Sequence, residues 1–112
     1  MRLTYAIVWV SDMKESVGFY RDQLGLPLRF ESPDWTEFNT EGATLALHSG
    51  NGGKPGTSRP GLSVADLDAF HARMTGLGIA CVQPPREDFG ARIAQYVDPD
   101  GLTISVSEER ER

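Results

Sequence analysis

The side chains able to hold or transform a small molecule fall on short alternating stretches of this chain. In Thr44-Leu-Ala-Leu-His48, alternation puts Thr44, Ala46 and His48 on one side of a strand and Leu45 and Leu47 on the other. An imidazole at His48 can serve as general base or orient a ligand, or stand solvated and idle at a strand end. Tyr5, Trp9, Trp35 and Tyr96 can stack a flat or cationic molecule, or fill a core or a dimer seam. Glu37 and Arg92 can fix the charge of a ligand or pair with each other. Ser105 offers a hydroxyl on the last strand, and Arg59 can bind an anion or lie in solvent. His71 sits beside the apolar stripe of a helix and reads as structural or solvent-facing. Cys81, the single cysteine, cannot form an internal disulfide and reads as a small hydrophobe in a strand.

The elements that must position these groups are legible from the end of the chain backwards. Asp98-Pro-Asp-Gly101 is turn chemistry, and Leu102, Ile104 and Val106 alternate after it with Thr103, Ser105 and Ser107, which makes a hairpin. Glu41-Gly-Ala-Thr-Leu-Ala-Leu-His48 is a near copy of residues 100–107, and Val10-Ser-Asp-Met13 is echoed by Val64-Ala-Asp-Leu67. One motif is used twice. In the first copy, a strand over 3–10 leads to a helix capped at Ser11 or Asp12, with Met13, Val17, Tyr20 and Leu24 at helical spacing and Gly25 as its stop. Strands over 28–31, 35–40 and 44–48 follow. In the second copy, a strand over 59–64 precedes a helix capped by Asp66 with Leu67, Phe70, Met74 and Leu77 on one face, ended by Gly78. A strand over 79–83, a loop over 84–90 with room to act as a lid, and the hairpin complete it.

The predicted organisation is therefore a first βαβββ module over 1–48, a flexible glycine-rich linker over 49–58, a second βαβββ module over 59–107 and a frayed tail over 108–112, all one domain. The linker holds four glycines and a proline and no apolar residue to anchor it. It lacks the Gly-Lys-Ser/Thr ending and the strand-to-helix setting of a phosphate loop.

Composition narrows the function classes. Apolar content of 39% and charged content of 24% over 112 residues are globular values. A net charge of -5 argues against a nucleic-acid partner, whose phosphates need clustered Lys and Arg. No apolar run approaches the roughly 20 residues of a membrane span, and residue 1 opens almost directly onto a strand without signal-peptide features, so a cytoplasmic location is expected.

Each helix must cover one face of its own strands, so Ala6, Val8, Val10, Leu45, Leu47, Leu62, Val64, Ile104 and Val106 are expected beneath the helices. The other faces then carry Tyr5, Ile7, Trp9, Trp35, Glu37, Asn39, Thr44, Ala46, His48, Arg59, Ser63, Arg92, Ala94, Tyr96, Thr103 and Ser105. These faces are expected to curl into a concave trough with aromatic walls. Gln95 breaks the pattern, since an apolar residue is expected there.

Val10-Ser-Asp-Met13, Phe19-Tyr20, Leu24-Gly-Leu26, Trp35-Thr-Glu-Phe38, Leu45-Ala-Leu-His48, Phe89-Gly-Ala-Arg92 and Asp98-Pro-Asp-Gly101 together resemble the vicinal oxygen chelate superfamily. That superfamily includes glyoxalase I, bleomycin- and fosfomycin-resistance proteins and extradiol dioxygenases. The resemblance implies an α+β fold of tandem βαβββ repeats with curved mixed sheets around an open cleft, and a homodimer. It also implies four metal-ligand positions, which fall here on Tyr5, Ala46, on or next to Arg59, and on Ser105. None is His or Glu, the donors a divalent site needs. The resemblance and the missing donors together imply a metal-free, cofactor-free protein, leaning away from catalysis, that encloses a small aromatic or cationic molecule in the manner of drug-sequestering antibiotic-resistance proteins. The expected ligand contacts are Tyr5, Trp9, Trp35, Glu37, His48, Arg92, Tyr96 and Ser105. The alternatives are a lyase or isomerase using unrecognised metal ligands or His48 and Glu37 as acid and base, and a non-catalytic dimerising domain.

Overall fold

The computed structural model describes residues 1–88 and 90–109, and the chain packs as two compact units, Thr4–Ser58 and Arg59–Arg112 with Met1–Leu3. Phe89 and residues 110–112, which the sequence assigns to a loop and a tail, lie outside the described residues. Among the described residues each unit has four strands and one main helix in the predicted βαβββ order, an α+β architecture.

The first module consists of β1 (Arg2–Trp9), α1 (Met13–Gly18) continued by a π-helical turn (Phe19–Gln23), β2 (Leu28–Phe30), β3 (Trp35–Phe38) and β4 (Thr44–His48). Its strands run in the order β2-β3-β4-β1, with β3 antiparallel to both neighbours and β1 parallel to β4. Asp12 caps α1, its Oδ1 accepting the Glu15 N–H at 3.1 Å. Val17 packs with Val10, Phe38 and Leu47, and Val8, Met13, Tyr20 and Leu45 close around them. Leu24 departs from expectation. The Leu24 N–H donates to the Phe19 carbonyl five residues back, and the widened turn rotates Leu24 off the apolar stripe to 57% exposure. Gly25 then takes φ +87°, the left-handed stop the sequence calls for.

The second module consists of β5 (Ser58–Val64), α2 (Leu67–Gly76), β6 (Cys81–Asp88), β7 (Ala91–Val97) and β8 (Thr103–Glu108). Its strands run β5-β8-β7-β6, with β5 parallel to β8 and the rest antiparallel. Asp66 Oδ1 accepts the Ala69 N–H, and Leu67 packs with Val64, Ala94, Tyr96 and Val106 beneath α2. At the hairpin, Asp98 Oδ1 accepts the N–H groups of Asp100 and Leu102 and Gly101 takes φ +89°.

Four expectations change here. The segment over 84–88 is not a lid loop: β6 runs through Pro84 and Pro85 as the outer strand of its module, with register shifts on either side of Gln83 that accommodate the missing N–H donors. Cys81 is exposed at the start of that strand instead of packed inside it. Glu108 belongs to β8, not to a frayed tail, and its Oε2 accepts the Leu67 N–H at 2.9 Å. Arg92, Ala94 and Tyr96 lie on the α2 side of β7, not on its uncovered side, because Ala94 pairs with Val106 and Tyr96 with Ile104, both of which face the helix.

Candidate functional site

The first module places Tyr5, Trp9, Trp35, Glu37 and His48 on the face its helix leaves uncovered. The ladder does this directly: Tyr5 pairs with Thr44, Ile7 with Ala46 and Trp9 with His48, while Trp35 pairs with His48 and Glu37 with Ala46 across the other edge of β4. Side chains directly opposite in register point to the same face, so five predicted residues from three strands meet.

Glu37 is the hub of this face. Its Oε1 accepts from Arg29 Nε at 3.1 Å and Arg29 Nη2 at 2.9 Å, and its Oε2 accepts from Trp35 Nε1 at 2.8 Å and the Tyr5 hydroxyl at 3.4 Å. A carboxylate has about four lone-pair directions, and a donor occupies each. The same guanidinium also donates to Asn39 Oδ1 and Thr44 Oγ1. The carboxylate thereby fixes the indole of Trp35 and the phenol of Tyr5, whose ring centroids lie 6.0 Å apart. Glu37 and Arg92 each have a partner within their own module: Glu37 is engaged by Arg29. Arg92 bonds Asp68 at 2.9 Å and approaches Glu108 at 3.5 Å, a bridge across the start of α2 that holds the Asp68 carboxyl below its ordinary range.

His48 sits between the two tryptophans. Its ring stacks on Trp9 with centroids 5.3 Å apart and 15° from parallel, and meets Trp35 edge-on at 5.6 Å. The Gly50 N–H donates to His48 Nδ1 at 2.9 Å, so that nitrogen acts as acceptor and the ring proton resides on Nε2. Trp9 is only 3% exposed, and this is where the glycine-rich segment goes. The Trp9 N–H donates to the Thr57 carbonyl and the Gly56 N–H to the Trp9 carbonyl, while Gly53 lies so flat on the indole that a Cβ there would fall 2.1 Å from Cδ2. The segment has no apolar anchor of its own, and β1 provides one. Trp9 is therefore covered by its own module, while Trp35, Tyr5 and His48 remain partly exposed.

The second module's uncovered face differs in character. Ser105 lies there as predicted, opposite Gly61 on β5 and Gln95 on β7, and Ser63 pairs with Ser107 beside it. Tyr96 is 4% exposed in the α2 core, its hydroxyl 2.9 Å from His71 Nδ1, which makes both members of that pair structural. Burial pushes the Tyr96 phenol above 10.0, with the negative charge of an ionised Cys81 adding to the shift, and burial likewise holds the Arg59 guanidinium below its ordinary value. Sequence reasoning missed Arg29. The available signal was a single arginine between Leu28 and Phe30 on a strand one turn away from Glu37.

The comparisons with known proteins agree with this architecture. A model of the Glyoxalase/Bleomycin resistance protein/Dioxygenase superfamily matches residues 2–106. The chain belongs to this superfamily. An uncharacterized protein of Bacillus subtilis (strain 168), YraH, is 27% identical over 124 aligned positions, covering 95% of this chain and 97% of that protein. Among solved structures, an NAD-dependent benzaldehyde dehydrogenase of Legionella pneumophila superposes with TM-score 0.77 at 20% identity, over 95% of this chain and 98% of that one. Methylmalonyl-CoA epimerase of Mycobacterium tuberculosis gives 0.76 at 20% identity, over 98% and 89%. At these identities the two structures share the fold with this member of the superfamily. No helix among the described residues is long and apolar enough to cross a membrane.

The superfamily's metal enzymes raise the question of a divalent ion, and the donor set here does not fit one. Ala46 presents a fully buried methyl, and the Tyr5 hydroxyl is turned to Glu37. Glu37, opposite Ala46 in the ladder, has its lone pairs committed to a guanidinium, an indole and a phenol. In the second module, Arg59 and Ser105 supply a cation and a weakly donating hydroxyl.

Proposed function

We propose that this superfamily member binds a small planar molecule on the uncovered face of its first module and works without a resident metal. The observation that carries the reading is the Glu37 hub: one carboxylate holds Trp35 and Tyr5 in place by hydrogen bonds to their polar ends, while both side chains remain partly exposed. Aromatic side chains fixed before binding lose little entropy when a ligand stacks on them. The same hub weighs against acid-base chemistry by the Glu37 and His48 pair, because Glu37 and the His48 Nδ1 are already engaged within the module.

The test is a titration of 2-naphthamide, a neutral flat probe, followed by calorimetry and by the Trp35 indole N–H resonance. Binding that shifts this resonance and weakens at least tenfold in Trp35→Ala supports the reading. Equal affinity in wild type and Trp35→Ala overturns it.

A further inference from the structure

The identity of the cation on Glu37 points further. Arg29 comes from β2, the outermost and shortest strand of its module, and sits where the β2–β3 register slips between Leu28 and Phe30. Such a bulge re-aims one side chain out of the regular ladder. The guanidinium reaches the carboxylate that holds Trp35 and Tyr5, with its Nε and Nη2 both on Glu37 Oε1. The two partners are unequally embedded: the Arg29 side chain is 40% exposed and that of Glu37 only 19%. The carboxylate and the two rings are thus the more deeply set part of the arrangement, and Arg29, which also donates to Asn39 Oδ1 and Thr44 Oγ1, is its more exposed member.

We propose that Arg29 is a built-in competitor, and that the ligand of this face is a flat cation carrying a guanidinium- or amidinium-type head, which takes Arg29's place on Glu37 while its ring system stacks on Trp35. A half-buried carboxylate whose other oxygen is fixed by Trp35 Nε1 and Tyr5 Oη needs a planar donor fork at Oε1, and an amidinium presents one. A neutral amide donates less strongly there, and a carboxylate is repelled. Arg29 then sets the threshold for binding, since only the fraction of molecules with Arg29 displaced accepts the ligand. This rests on the reading of the face as a ligand site.

Three probes of one shape and three charges separate the possibilities: 2-naphthamidine, 2-naphthamide and 2-naphthoate, titrated into wild type, Arg29→Gln and Glu37→Gln. The expected result is that the amidine binds about fivefold tighter in Arg29→Gln, the scale of releasing a partly exposed ion pair, and loses its advantage over the amide in Glu37→Gln. Amidine affinity unchanged or weakened in Arg29→Gln overturns the proposal, and so does naphthoate binding that Arg29→Gln abolishes, which would make Arg29 an anion receptor. Amide and amidine binding equally in wild type and in Arg29→Gln sinks the competitor role while the stacking site stands. Failure of all three probes to bind any variant removes the site itself. Should Glu37→Gln not fold, the Arg29→Gln comparison decides alone, because Arg29 is exposed and lies outside both apolar cores.

Discussion

The two modules are alike on one side and unlike on the other. Beneath the helices, Val10, Met13, Phe38 and Leu47 in the first module correspond to Val64, Leu67, Tyr96 and Val106 in the second. On the opposite faces, Trp9 and His48 occupy the ladder positions that Ser63 and Ser107 hold in the second module, and Ile7 and Ala46 those of Gly61 and Ser105. The helix side is constrained by folding, since each module has to exclude water from its own small core. The other side is free of that demand, and there the copies have different chemistry: an aromatic box around a carboxylate in one, small hydroxyls and a glutamine in the other.

Substitutions at matched positions put this contrast to the test. Trp9→Ala should have the largest effect, destabilising by about 3–5 kcal/mol in urea unfolding, because it opens a cavity under the glycine-rich segment. A loss below about 1 kcal/mol would mean that the segment does not pack on the indole. Gly53→Ala should cost about 1–3 kcal/mol, since the new Cβ has to move the segment off Trp9. Gly76→Ala, where nothing lies within 4 Å, should stabilise α2 by about 0.5–1 kcal/mol. Equal behaviour of the two glycine variants would erase the difference between a covered and an open position.

Tyr96→Phe should cost about 1 kcal/mol through its lost contact with His71. It should also change the alkaline limb. The folded state favours the neutral phenol, so the stability this adds is fully present below the unfolded value near 10.0 and is lost as pH rises through the raised folded value. Unfolding curves from pH 9 to 12 should therefore fall less steeply for the variant. The smallest effect, of opposite sign to Trp9→Ala, belongs to the matched Ser63→Ala. The Ser63 hydroxyl is buried without a hydrogen-bond partner among the described residues, and its removal should raise stability by about 1 kcal/mol or less. A clear loss would show that this hydroxyl is satisfied in solution.

The repeat, the helix caps and the Asp98–Gly101 hairpin turn were legible because each rests on local chemistry: Asp66 caps as read, Asp12 is the one of the two candidates Ser11 and Asp12 that caps, and Gly25, Gly78 and Gly101 take positive φ where a stop or turn needs it. The first-module face was legible as well, since alternation within β1, β3 and β4 agrees with the apolar count on each strand. In β7 the two signals conflict. Ile93 and Val97 flank Gln95 on one side while Arg92, Ala94 and Tyr96 share the other, so hydrophobicity points the apolar pair inward although Ala94 and Tyr96 are the residues beneath α2. Gln95 was the one residue that registered the error. Arg29 was invisible for a different reason: its meeting with Glu37 depends on a bulge in a three-residue strand, and no period in the sequence encodes a slip of register.

The prolines of β6 have a consequence for the company this protein keeps with other chains. An outer strand that continued its ladder unbroken would present a regular row of N–H donors to any extended peptide. Pro84 and Pro85 have no N–H to offer on either edge of the strand, and they fall within the register shift between Gln83 and Arg86. The resulting gap makes this margin a poor template for strand addition, and the charged run Arg86, Glu87 and Asp88 that follows on the same strand adds to that protection against fibrillar growth.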